Sequence, residues 1–212
     1  MTKIKCIWFG VGIDVKSTDE AYSSIIELNE LLKQKYGSNY IFNSINNPPH
    51  INLYDIDIPS ENLEDVDQTL KKLAKQYKPL SIELSTIDSF RYGAIYVRCA
   101  LDHKLQDLEK EVVESLVNFK DGCRTKEYWQ SWREYNAQQI YNRDQYGNPH
   151  VLDTFTPHIT LGFVKVGQKK LQEIVQTCGQ KFSKTKLVVK QMDMAIQNLD
   201  GKFIERRHYV FS

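Results

Sequence analysis

Two stretches of this chain could do chemistry together: "PPHINLYDI" at 48–56 and "TPHITLGFV" at 156–164. Each writes Pro-His-Ile, then a small polar residue, then Leu. Successive side chains of a strand point to opposite faces. His50 and Asn52 therefore share one face, with Ile51 and Leu53 opposite them; His158 and Thr160 share a face against Ile159 and Leu161. If the two polar faces meet, one cleft holds two imidazoles and two small hydrogen-bonding side chains. Hydrolysis of a phosphodiester calls for such a set. A base takes a proton from water, an acid gives one to the departing oxygen, and imidazole serves in either role near neutral pH. The oxygens that stay behind carry charge and need donors, which the Thr160 hydroxyl and the Asn52 amide supply. The scheme needs neither metal nor cofactor. The chain also lacks a glycine-rich phosphate loop, an HExxH pair and a G-x-S-x-G elbow. A single such motif is an ordinary strand; the pair, each preceded by proline, carries the reading.

The elements that must position these residues follow from periodicity. "IKCIWFGVGI" reads as a buried strand, and "STDEAYSSIIELNELLKQKYG" as a helix with Ser17 and Glu20 as capping box and Gly37 as stop. After the strand "PHINLYDIDIP", Ser60 caps a helix running to about Tyr77. "LSIELSTIDSF" and "GAIYVRCAL" are two strands, and residues 102–119 a third helix. "FTPHITLGFV" is a strand, "GQKKLQEIVQTCGQKF" a helix, and "TKLVVKQMDMAIQNL" and "KFIERRHYVFS" two closing strands. A histidine-bearing strand, a helix and two further strands thus occur twice. This predicts an α+β protein with two pseudo-symmetric βαββ lobes, their antiparallel sheets flanking a central cleft. Residues 1–212 form one bilobal domain on this reading, with an insertion or lid at 121–153.

Composition sets the outer bounds. The 212 residues are 41% hydrophobic and 26% charged, enough for a full core. A net charge of +1 gives no global field to attract nucleic acid or membrane, so any basic site is local. Cys6, Cys99, Cys123 and Cys178 are scattered and read as small core residues, which suits a reducing, cytoplasmic setting. No stretch has the length of a membrane span.

The repeated His-x-polar-x strand, once in each half, resembles the two-histidine (2H) phosphoesterase superfamily. Its members include RNA 2′,3′-cyclic phosphodiesterases, so-called 2′-5′ RNA ligases and phage enzymes that cleave cyclic-nucleotide messengers. The likeness covers most of the chain outside 121–153. It implies a bilobal fold, metal-independent chemistry, His50 and His158 as the catalytic pair, and positions 52 and 160 as phosphate ligands. His158 and Thr160 match the family's His-x-Thr/Ser pattern; His50 matches, but Asn52 stands where a hydroxyl residue is expected. The expected activity is hydrolysis of a nucleotide-type phosphodiester, on an RNA end or a cyclic nucleotide, by a monomer. The competing expectation is a binding module for RNA or nucleotide that keeps the cleft without turnover, which Asn52 favours.

Three further residues are candidate substrate contacts. Tyr96 and Arg98 share a strand face and could offer a ring to a base and a guanidinium to phosphate. Tyr146 lies in the loop-like end of the 121–153 segment. That segment also carries Tyr128, Trp129, Trp132, Tyr135 and Ile140 at helical spacing, an aromatic stripe expected to pack onto the body. Arg206, Arg207, His208 and Tyr209 cluster at the C-terminus, with Arg207, Tyr209 and Phe211 on one face. Asp55 and Asp57 read as surface charges on the face opposite His50.

Overall fold

The structure, a computed structural model, describes residues 5–42, 46–120, 123, 135–198 and 200–212. Its eight strands are β1 (Cys6–Asp14), β2 (His50–Pro59), β3 (Leu80–Ser89), β4 (Ala94–Cys99), β5 (His158–Phe163), β6 (Thr185–Val189), β7 (Gln191–Gln197) and β8 (Phe203–Val210). They form one antiparallel sheet in the order β6-β3-β4-β5-β2-β1-β7-β8. Among the described residues the α-helices are α1 (Tyr22–Tyr36), α2 (Leu63–Ala74), α3 (His103–Leu116), α4 (Ala137–Tyr146) and α5 (Gln168–Gly179). The α+β class and the antiparallel arrangement are as the sequence predicts.

The sheet has two halves, joined where β2 meets β5 through the pair Ile51–Ile159. One half is β2-β1-β7-β8 with α3 against β2 and α2 against β8; the other is β5-β4-β3-β6 with α1 against β5 and α5 against β3. The two halves are not consecutive βαββ units. The chain crosses between them: β1, β2, β7 and β8 come from the two ends of the sequence, and β3, β4, β5 and β6 from its middle. The stretch "TKLVVKQMDMAIQNL" marks one crossing: it is not one strand but two, β6 pairing with β3 and β7 with β1. The buried positions change parity there, from Leu187 and Val189 to Met192, Met194 and Ile196. A change of parity is what a strand must do to move its apolar face to another part of the core.

Helix starts also differ from expectation. Ser17–Ala21 forms turns, with Asp19 accepting from the Lys16 N–H, and α1 begins only at Tyr22. Ser60 opens a short 3₁₀ turn without a side-chain cap, whereas Asp102 caps α3 by accepting from the Leu105 N–H at 2.9 Å. Cys6 and Cys123, 117 residues apart, form a disulfide; only Cys99 and Cys178 are buried thiols. This corrects the reading of all four as core residues, since pairing across such a distance leaves no local signature. Disulfides persist in oxidising media, which removes the cysteine argument for a reducing compartment. Among the described residues no helix is long and apolar enough to cross a membrane.

Past Ile51, the β2 edge that faces β5 is open, and the end of α4 with the loop after it covers that edge. The Tyr54 hydroxyl donates to the Tyr146 carbonyl at 2.5 Å, and the buried Asn148 amide reaches the Asp55 carboxylate at 2.9 Å. Residues 121, 122 and 124–134, with Tyr128, Trp129 and Trp132, lie outside the described residues. The same loop leads into β5 through Leu152, which sits at φ 55°, a conformation costly for a branched side chain. It is held there by Glu109 of α3, whose Oε1 accepts the Leu152 N–H at 2.9 Å.

Glu109 is fully buried and its Oε2 has no partner. Burial pushes its pKa from 4.5 up to about 7. The folded chain then binds the proton more tightly than the unfolded one, so stability falls as pH rises from the ordinary carboxylate range through about 7. Glu109→Gln keeps the bond to Leu152 without the charge. Urea unfolding at pH 8 should show it more stable than the parent by an amount on the order of 3 kcal/mol, a gain that vanishes at pH 4. An identical pH dependence in both proteins would contradict this.

Candidate active site

Why proline precedes each histidine is answered by the backbone. The proline carbonyls belong to the sheet: Pro49 accepts from the Val15 N–H at 2.7 Å and Pro157 from the Cys99 N–H at 3.2 Å. The carbonyl one residue earlier accepts the imidazole instead, Pro48 from His50 Nδ1 at 2.8 Å and Thr156 from His158 Nδ1 at 2.7 Å. Proline fixes φ and holds the preceding residue extended, which sets that carbonyl in place. A carbonyl cannot donate, so Nδ1 carries the hydrogen in both rings. Nε2 is left as the atom that can accept or deliver a proton. Both rings are half-buried.

The junction brings the two motifs together. Ile51 and Ile159, both fully buried, point into the core, so the residues on either side of them point to the open face. Continuing that antiparallel register sets His50 beside Thr160 and Asn52 beside His158, with the two histidines diagonal to one another. Diagonal positions on paired strands lie about 7–8 Å apart. All four residues named from the sequence thus share one face.

The same irregularity occurs just after each motif. Val11 pairs with Tyr54 and Gly12 with Asn52, which leaves Leu53 as a bulge; Ile95 pairs with Gly162 and Tyr96 with Thr160, which leaves Leu161 as a bulge. Across the sheet, Asp14 stands opposite His50 and Arg98 opposite His158. The two halves therefore match residue for residue around the histidines. A bulge swaps the faces of the residues beyond it. That swap corrects the reading of Asp55, which lies on the His50 side of β2 and is buried.

Asp55 is the hub of a network the sequence did not reveal. Its carboxylate accepts from the Asn52 amide at 2.7 Å, the Asn148 amide at 2.9 Å and the Trp8 indole at 3.2 Å. The Trp8 ring crosses Gly10, where an added Cβ would come within 2.9 Å of it. Asparagine at 52 is thereby explained: its amide spends one hydrogen on Asp55 and keeps another for the cleft, which a threonine hydroxyl could not do with its single proton.

The two imidazoles have different neighbours. His158 packs against Phe90 and Tyr96, both with ring centroids 5.1 Å away, and Phe90 stacks on Tyr96 at 4.4 Å. Tyr96 faces the cleft but is only 3% exposed, so it backs the imidazole and leaves no open ring for a base. Burial and the nearby Asp88 carboxylate push its hydroxyl pKa up. Arg98 lies on the same face, bonded to Asp88. Burial opposes the Asp88 charge, but the Arg98 and Ser89 hydrogen bonds hold its carboxyl below the usual range. On the other side, Arg206 Nη1 meets both carboxylate oxygens of Asp14 at 2.7 and 2.6 Å. Burial and the neighbouring Asp193 nevertheless keep the Asp14 pKa raised, against the pull of Arg206 and His50. Tyr146 belongs to the edge brace described above, its ring packed on the core's margin. Of the C-terminal cluster, Arg207 and Tyr209 turn to Asp67 of α2, while Arg206 and His208 look to the open side.

A sequence profile of the 2′-5′ RNA ligase superfamily matches residues 27–197. The chain belongs to that superfamily. Its members are two-histidine phosphoesterases and include phosphodiesterases and ligases. Two solved structures share the superfamily fold with it. TT0787 of Thermus thermophilus has 12% identity and a TM-score of 0.59, covering 97% of this chain and 99% of its own. E. coli LigT in apo form has 12% identity and a TM-score of 0.53 with the same coverage. No curated protein sequence matches the chain. As for metals, no group of three or more His, Cys, Asp or Glu side chains among the described residues could hold an ion.

Within this superfamily member, exchanging Asn52 for the family's hydroxyl residue should be harmful. Asn52→Thr takes one donor from the buried Asp55, which keeps those of Asn148 and Trp8, and should cost about 1.5–3 kcal/mol in denaturant unfolding, the usual worth of a hydrogen bond to a charged group. Thr160→Ser, which has no such partner to abandon, should cost less than half of that. Equal stability of Asn52→Thr and the parent would show that Asp55 does not depend on position 52.

Proposed function

We propose that the cleft hydrolyses a nucleotide-type phosphodiester, the 2′,3′-cyclic phosphate of an RNA end or the ester of a cyclic nucleotide or oligonucleotide. The observation that carries the reading is the twin Nδ1–carbonyl anchorage, which leaves two Nε2 atoms on one face. One imidazole, neutral, takes the proton of a water as its oxygen attacks phosphorus. The other, protonated at Nε2, gives its proton to the ribose oxygen as the P–O bond breaks. Water enters, one ester bond is exchanged for one hydroxyl and one phosphate oxygen, and the two rings end with their protons interchanged. The Thr160 hydroxyl and the second Asn52 amide hydrogen donate to the phosphoryl oxygens that do not leave. Arg98, beside His158, adds positive charge at the rim. The 121–153 segment is an insertion whose described end braces Asp55 and, through it, Asn52.

Neither anchoring bond resists this chemistry, because an Nδ1–H can donate to a carbonyl in both the neutral and the charged ring. Two imidazoles in opposite protonation states also imply a rate that peaks between their two titrations. The competing reading, a cleft that binds nucleotide without turnover, draws on Asn52.

Chelator-treated protein should open 2′,3′-cyclic nucleotides with a bell-shaped pH profile. His50→Ala and His158→Ala should each lower kcat by about 10²–10⁴-fold, and Thr160→Ala by less, with unfolding midpoints little changed. Binding without product in the parent, or turnover indifferent to both histidine substitutions, would leave the binding module as the correct reading.

A further inference from the structure

Asp55, which fixes the Asn52 amide at 2.7 Å, is itself held from two sides. Trp8 of β1 donates its indole N–H, and Asn148, in the loop after α4, donates its amide. These two carriers are also joined covalently. Cys6 lies two residues before Trp8 on the same face of β1, and its sulfur is bonded to that of Cys123. Cys123 closes the turn after α3, its N–H donating to the Lys120 carbonyl at 3.1 Å. That turn packs beside Gly147, where an added Cβ would lie 3.6 Å from Lys120 Cδ and 3.1 Å from Ile56 Cγ2. Asn148 is the next residue. The disulfide therefore completes a ring around Asp55 that runs through Trp8, Cys6, Cys123, Lys120, Gly147 and Asn148.

The bond stands where it can be cut. Cys6 and Cys123 are both half-buried, within reach of a small thiol, and accessible disulfides are the ones that exchange. The other two thiols, Cys99 and Cys178, are buried, and burial pushes both pKa values up, which keeps them out of exchange. One pair thus has two states and no rival pairing within the chain. Once it is open, the two carriers are linked only by noncovalent contacts and by 117 residues of sequence.

We propose that the Cys6–Cys123 disulfide is a redox switch on the cleft: closed, it steadies Asn52 through Asp55, and a dithiol reductant lowers activity by opening it. The reductant's first thiolate attacks one sulfur, forming a mixed disulfide and freeing one cysteine. Its second thiolate closes the reductant's own disulfide and releases the other cysteine. Two electrons and two protons pass to the protein, and the dithiol is oxidised by the same count. The inference rests on the phosphodiester reading of the cleft and adds the regulation of that site.

The test follows the parent before and after dithiothreitol, below the unfolding midpoint of the reduced protein. Thiols counted in denaturant should rise from two to four on full reduction. Two readouts are taken: kcat on 2′,3′-cyclic AMP, and the Trp8 indole N–H resonance, assigned through Trp8→Phe. Reduction should shift the indole signal and lower kcat by about tenfold, short of the roughly 10²–10³-fold that a lost oxyanion donor costs. The double variant Cys6→Ser, Cys123→Ser should match the reduced parent and ignore dithiothreitol. An unchanged kcat in the fully reduced parent overturns the inference, whatever the bond adds to the unfolding midpoint. So does a double variant that dithiothreitol slows equally. If neither state turns over substrate, an indole shift with weaker binding of 3′-AMP upholds the linkage and refutes the hydrolytic reading, and an unmoved signal refutes both. Turnover indifferent to reduction upholds the hydrolytic reading alone.

Discussion

A carbonyl oxygen has no proton to give. That constraint, applied at Pro48 and again at Thr156, fixes the hydrogen of both imidazoles on Nδ1 and commits both Nε2 atoms to the cleft. The bond also orients each ring from behind. Such support is what a proton-transfer site needs, because a ring free to rotate would spend most of its time misaligned. Proline is the covalent device that makes the carbonyl available, by fixing the backbone just before the histidine. The sheet accepts this because the next carbonyl, that of the proline itself, keeps its place in the ladder.

One pair of isoleucines then decides what meets what. Ile51 and Ile159 are buried in the core and paired with one another, so their polar neighbours turn to a common face. The matching bulges at Leu53 and Leu161 repeat the arrangement in each half and re-aim the residues beyond. In the first half the re-aimed residue is Asp55, which ties Asn52 to Trp8 and to the loop at Asn148. Where the halves stop matching is also informative. Tyr96 walls off one side behind His158, and Gly12 leaves the other open, so a nearly symmetric scaffold gives a site with a direction.

Much of this was legible in the sequence because alternation is a short-range property. The pairing of His50 with Asn52, and of His158 with Thr160, needs only the strand period, and the repetition of the motif supplied the rest. The antiparallel α+β class came from the same signal. The partners of the site were hidden because they arrive through pairing across the sheet. Nothing near Asp14 announces that it will face His50, and the bulges that carry Asp55 to the cleft side insert a residue without any local marker. The strand period puts Tyr96 on the cleft face, but the ring that covers it, Phe90, comes from the turn after β3. The break between β6 and β7 did have a signal, the switch of apolar parity around Lys190, though two alternating stretches run together look like one strand. The Cys6–Cys123 bond had none.

The account turns on which ring nitrogen carries the proton, and nitrogen NMR reads this directly. In protein labelled with ¹⁵N, long-range proton–nitrogen spectra recorded above the titration of both histidines distinguish the two neutral tautomers by their cross-peak patterns. His50 and His158, assigned through His50→Ala and His158→Ala, should both appear as the Nδ1–H form. An Nε2–H tautomer at either position would mean that its carbonyl anchor is absent and that no imidazole lone pair faces the cleft from that strand.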